Sequence, residues 1–140
     1  MQFRLVTMLG TKVSEDVYSV TLPPVTGEIS VFPSHEQLVT IATSGIITVR
    51  FNKEDDDSKL EYYAISGGVI EINQRGLKVL VDEADHSDDI IEAESKAALE
   101  RALKMQDEAT DQVELEKAHQ LVDRHMVRLK VASLRRRHRR

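Results

Sequence analysis

The chain has 140 residues, is 41% hydrophobic with 4% aromatic side chains, and contains neither Cys nor Trp. The absence of cysteine excludes a disulfide framework, a thiolate metal site and a cysteine nucleophile, and no apolar run approaches the ~18–20 residues that a membrane span requires. The formal charge of -5 hides a gradient, with residues 1–87 at -6, residues 88–123 at -7 and residues 124–140 at +8.

The amino terminus enters a strand-like pattern at once, with Phe3, Leu5 and Thr7 alternating against Arg4, Val6 and Met8 until Gly10. No signal or transit segment is recognisable, so a soluble, intracellular chain is expected. Tyr18, Val20 and Leu22 share one parity before Pro23 and Pro24 break the run. Gly27, Pro33, Gly45, Gly67, Gly68 and Gly76 then punctuate stretches rich in Val, Ile, Thr and Tyr, the residues that suit half-buried strands. Residues 52–59, with four consecutive acids at 54–57, read as a solvated hairpin tip, and Arg75-Gly76 as a tighter turn. Many short strands with nothing helical between them predict an antiparallel β-sandwich over residues 1–86.

Beyond Asp82 glycine and proline vanish, and Ala, Glu, Lys, Leu and Arg dominate. Asp89 with Glu92, and Asp111 with Glu114, have the spacing of capping boxes. Ile91, Ser95, Ala98, Ala102, Met105 and Ala109 form one helical seam, and Leu115, Ala118, Val122, His125, Leu129 and Ala132 form a second. The intervening stretch 106–110 forces an antiparallel turn. Residues 87–140 therefore read as a helical hairpin, giving an α+β chain of sandwich followed by hairpin. Small residues allow close approach of the two helices, but neither seam is strongly hydrophobic. The hairpin is expected to be held only marginally.

Catalytic motifs are hard to find. Gly10-Thr11-Lys12 lacks the order and upstream glycine of a P-loop, and Ser66 has Ala64 where a nucleophile elbow requires glycine. His119 and His125 lie about 240° apart round a helix and do not share a metal as an i, i+4 pair would. His86, among Asp85, Asp88 and Asp89, lacks the ordered spacing of a calcium loop and reads as a charged linker. His35 reads as a turn residue bonded to backbone. No enzyme chemistry, metal or cofactor is assigned. The run Arg135-Arg136-Arg137-His138-Arg139-Arg140 reads either as a solvated helix end favoured by the macrodipole or as a tether to an acidic protein surface or nucleic acid. An alternative function is accordingly a free-standing adaptor that binds nucleic acid through this tail, although the acidic remainder and lack of interleaved aromatics argue against it.

One segment carries more. Gly27-Glu28-Ile29-Ser30-Val31-Phe32-Pro33-Ser34-His35-Glu36-Gln37-Leu38-Val39-Thr40, followed by Gly45 and an Ile-Ile-Thr-Val strand at 46–49, resembles the epsilon subunit of bacterial F-type ATP synthases. Tyr63-Ala64-Ile65-Ser66-Gly67-Gly68-Val69-Ile70-Glu71-Ile72 resembles the same family's second signature, and the hairpin has its place and length. The resemblance implies a non-catalytic rotor component at the cytoplasmic face of the cell membrane. Its sandwich would bind the gamma subunit and the c-ring, and its hairpin would swing between a folded and an extended form that blocks hydrolysis at the alpha/beta catalytic head. On that resemblance Glu28, Pro33, Ser34 and His35 are the expected rotor-facing edge. Arg124, Arg128, Lys130, Arg135, Arg136 and Arg137 are the expected head contacts. Some members bind ATP through an Ile/Leu-Asp-x-x-Arg-Ala motif on the first helix. Here the stretch is Ile90-Ile91-Glu92-Ala93-Glu94-Ser95, with Ile91 for the Asp and Glu94 for the Arg. An acid where a phosphate partner belongs repels nucleotide, so ATP binding is expected to be weak or absent.

Overall fold

A computed structural model describes residues 1–24 and 26–138, with the His138 side chain excluded. Eight strands come first: β1 Gln2–Thr7, β2 Gly10–Asp16, β3 Ser19–Leu22, β4 Ile29–Val31, β5 Leu38–Arg50, β6 Glu61–Asn73, β7 Gly76–Val81 and β8 Ala84–His86. Two helices follow, α1 Glu92–Glu108 and α2 Gln112–His138. The strands pair in the order β2-β1-β7-β6-β5-β3-β4, with β8 added to β6. All pairs are antiparallel except β1 with β7, which run parallel from Gln2 opposite Gly76 to Val6 opposite Leu80.

Two long strands turn this one ladder into two layers. In β6 the residues that enter the main core are Tyr63 and Ile65, then Ile70 and Ile72, with Tyr62 and Ala64 buried on the opposite face, and in β5 they are Ala42, then Ile47 and Val49. Strict alternation would keep one parity on one face. The parity changes at Thr43 to Gly45 and at Gly67 and Gly68, so both strands fold over there. Their near halves join β3, β4 and β8, and their far halves join β7, β1 and β2. Gly67 has φ 94°, a conformation that side-chain-bearing residues avoid, and a Cβ on Gly68 would fall on the carbonyl oxygen of Leu80. The core between the layers holds Phe3, Leu5, Val20, Leu22, Val31, Ile47, Val49, Ile70 and Val79, all fully buried.

The acidic stretch expected as a hairpin tip closes in a short 3-10 turn at Asp57–Lys59, where the Asp56 carboxylate accepts from the Ser58 amide at 3.0 Å. Asp111 caps α2 by accepting from the Glu114 amide at 2.8 Å. Glu114 reaches back to accept from the Thr110 amide, one residue beyond the N-cap amide of a standard box. The box expected at Asp89 does not form. Asp89 ends a 3-10 turn at Ser87–Asp89, which His86 Nδ1 caps by accepting from the Asp88 amide at 3.1 Å. Helix α1 starts at Glu92 with no side-chain cap, its first turn favoured by Glu92 and Glu94 at the positive end of the dipole. The same late start corrects the first seam. Ile91 precedes the helix and is exposed, while the extended backbone buries its neighbour Ile90.

Candidate functional site

Helix α2 is the element around which every polar feature of interest gathers. At about 100° per residue its surface divides into stripes. Ala118 and Val122 are buried on α2 and Ser95 and Ala102 on α1, where the two helices pack together, whereas Ala132, expected in the same seam, is buried with Tyr62, Ala64 and Ile90 on the sandwich side. Val127, Val131 and Leu134 pack on a platform made by Ile46, Leu60, Tyr62, Ala64 and Ile90 on the outside of the sandwich. Between those two stripes runs a third, of arginine.

The arginines are not loose in solvent. Arg124 pairs with Glu83, Arg128 with Asp85 at 3.3 Å, and Arg135 with Asp88 at 3.6 Å. Arg135 also donates to the Ser87 carbonyl at 2.7 Å, and Arg136 pairs with Glu92 at 3.1 Å. Glu83, Asp85 and Asp88 belong to the connector between β7 and α1, and Glu92 opens α1. The six basic residues picked from sequence thus separate: Arg124, Arg128, Arg135 and Arg136 are seated on the chain's own acids, while Lys130 and Arg137 are exposed. Arg139 and Arg140 lie outside the described residues.

His125 sits between the helices, half-buried, and burial together with Arg124, Arg128 and Arg101 pushes its pKa below the ordinary imidazole value. It faces a groove of about 340 Å³ lined by Glu94, Ser95, Arg101 and Arg128. His86 has a structural place. Its Nε2–H donates to Glu61, and its ring meets Tyr63 edge-on at 5.0 Å. Burial, with Glu61 and Glu15 adding to it, pushes the Tyr63 hydroxyl up to about 12. His119 receives the Gln106 amide at 2.7 Å. Among the described residues no three metal-ligating side chains gather, and no described helix is long and apolar enough to cross a membrane.

The four residues expected at a rotor-facing edge lie at the two ends of β4. Glu28 is exposed before the strand. Pro33, Ser34 and His35 follow it and border a groove of about 190 Å³ beside the Arg75-Gly76 turn. Ser34 takes a left-handed φ of 69°, and His35 Nδ1–H donates to the Glu36 carbonyl at 2.8 Å, the turn contact expected of it.

A further surface escaped the sequence reading. On the layer away from α2 the register aligns Ile41, Val69, Leu80 and Val6 across β5, β6, β7 and β1. Ile41 is 63% exposed, and Val39 on the same strand 70%. The signal was present as apolar residues on both parities of β5 and β6, but assigning the outer ones requires knowing where the parity changes.

The fold is a β-sandwich with an apolar row on its outer layer, followed by a helical hairpin that packs back on it through an apolar platform and ion pairs. The chain belongs to the ATP synthase delta/epsilon chain family, whose β-sandwich domain model matches residues 1–87. It is 32% identical over 136 residues to the ATP synthase epsilon chain of Herpetosiphon aurantiacus, covering 97% of this chain and 96% of that one. It is 31% identical over 135 residues to the epsilon chain of Rippkaea orientalis, covering 94% and 96%. Among solved structures it is similar in fold to a chain of the Euglena gracilis mitochondrial ATP synthase, with TM-score 0.77, 23% identity, and 94% and 79% of the two chains covered. A chain from the central stalk and c-ring of the Tetrahymena thermophila mitochondrial enzyme aligns at TM-score 0.61 and 10% identity, covering 94% and 96%.

Proposed function

We propose that this chain is a non-catalytic rotor subunit in the central stalk of an F-type ATP synthase, at the cytoplasmic face of a bacterial membrane. It helps couple ion-driven rotation to ATP synthesis and restrains ATP hydrolysis through its helices. Residues 1–86 form the coupling domain. Its bare apolar row at Val6, Ile41, Val69 and Leu80 seats the gamma subunit, and the edge marked by Glu28, Pro33, Ser34 and His35 meets the c-ring. Residues 87–140 form the regulatory domain, which docks on the alpha/beta head through Arg124, Arg128, Lys130, Arg135, Arg136 and Arg137 when it extends.

The observation that carries this reading is the composition of the contact between α2 and the sandwich. A small apolar platform and two partly exposed ion pairs, Arg124 with Glu83 and Arg128 with Asp85, hold the arm to residues 1–86, while the Arg135–Asp88 and Arg136–Glu92 pairs lie within the arm itself. Exposed pairs contribute about 0–1 kcal/mol each, and burying one Val side chain contributes about 1.5–3 kcal/mol. So small and partly polar a contact suits an arm whose position a partner with differential affinity shifts. Glu94, placed in the groove beside Arg101 and Arg128, supports weak or absent ATP binding.

Removal of residues 88–140 tests the division of labour. The truncated subunit is expected to assemble with gamma, and hydrolysis by the reconstituted complex to rise. Unchanged hydrolysis would remove the inhibitory role.

A further inference from the structure

Arg124, Arg128 and Arg135 lie within about 40° of one another round α2 and span about 16 Å along it. Their partners Glu83, Asp85 and Asp88 follow in the same order along the connector, as β8 leads into the turn at Ser87–Asp89. At about 3.3 Å per extended residue, and less through the turn, this stretch covers nearly the same distance. The connector is thus an acidic ligand matched in length and spacing to the basic stripe, supplied within the same chain.

We infer that residues 83–88 act as an internal stand-in for an acidic segment of a neighbouring subunit, and that the two compete for one arginine stripe. This rests on the proposed regulatory role of the arm. An arginine side chain committed to Glu83, Asp85 or Asp88 is not available to a second carboxylate in the same geometry. The partner that fits presents carboxylates at intervals of one to two helical turns. Lys130 and Arg137 are exposed and form no ion pair among the described residues, so they offer a first point of contact before the seated arginines let go.

Competition has a signature that a simple latch lacks. Neutralising either side of the pairs loosens the seated arm, but only loss of the acids leaves the stripe able to grip another chain. The test compares Glu83→Gln/Asp85→Asn with Arg124→Gln/Arg128→Gln in the full-length chain. The lack of native cysteine allows spin labels at Lys53→Cys and Val113→Cys to report the position of the arm. Both variants are expected to broaden that distance distribution. In the reconstituted ATP synthase the acid-side variant is expected to inhibit hydrolysis several-fold more strongly than the parent, and the arginine-side variant several-fold less. Outside the complex, a poly-glutamate peptide is expected to bind the acid-side variant several-fold tighter than the parent and the arginine-side variant several-fold more weakly. Inhibition moving in the same direction for both variants, or peptide affinity unaltered by loss of the acids, overturns the inference. If removal of 88–140 leaves hydrolysis unchanged, the regulatory reading fails separately, and peptide binding alone decides whether the stripe is shared. Retained β-sheet and helix signals by circular dichroism exclude misfolding as the cause.

Discussion

Gly68 shows how much a single missing atom determines here. Its backbone lies against the Leu80 carbonyl, which leaves no room for a methyl group. Gly68→Ala is expected to cost about 1–3 kcal/mol of sandwich stability, in the range of an overpacked core. A denaturation midpoint equal to the parent's would show that the fold-over tolerates a side chain. His125 makes a different residue-level prediction. Its lowered pKa means that the folded hairpin keeps it neutral. As pH falls below the ordinary value of 6.5 and on through the lowered one, the unfolded arm takes up a proton that the folded arm resists. Hairpin stability is therefore fully present above 6.5 and is lost on acidification. Amide exchange across α1 and α2 should quicken at mildly acidic pH, and His125→Gln should flatten that dependence. Equal acid sensitivity in the variant would move the cause elsewhere.

Helix α2 was half legible at the scale of the element. The buried seam positions Ala118 and Val122 follow from spacing alone, because helical periodicity is local information, but the same spacing assigns Ala132 to that seam although it is buried on the sandwich side. The second apolar stripe at Val127, Val131 and Leu134 carries the same period, yet nothing local says that it covers a sheet rather than the other helix. The opposite charges of the connector and the end of α2 were visible as a gradient, but the pairing of Arg124 with Glu83 depends on how the arm lies. Capping divides in a similar way. Asp111 and Asp89 have the same spacing to a glutamate, and only Asp111 begins an α-helix, since the His86 ring had already committed the second site to a tighter turn. Val131, fully buried on the platform, is the apolar anchor of the arm. Val131→Ala removes two methylene equivalents, about 1.6 kcal/mol, from the contact with the sheet. The expected result is a larger population of released arm with the sandwich's own melting unchanged. A single cooperative loss of both signals would mean that sandwich and arm are one unit.

For the whole molecule, the sandwich was the part that composition disclosed best, since Gly and Pro mark its turns and β-branched residues its strands. The fold-over of β5 and β6 was not legible, because the parity change spreads over several residues and needs the Gly68–Leu80 approach to be located. The bare row at Val6, Ile41, Val69 and Leu80 was hidden for that reason. If it seats gamma, Ile41→Asp should weaken assembly with gamma strongly while leaving the isolated chain's melting within about 0.5 kcal/mol, as for a surface change. Undiminished assembly would place the gamma contact on another face.

The parallel pairing of β1 with β7 has a consequence for biosynthesis. Strand β1 has no inner neighbour until residues 76–81 have left the ribosome, so it waits beside β2 through most of the sandwich's translation. That late closure makes a high contact order and a slow final step, but it also fixes a sequence of events. The sheet can be finished while the helices are still being synthesised, and the nascent arm then first meets a completed surface.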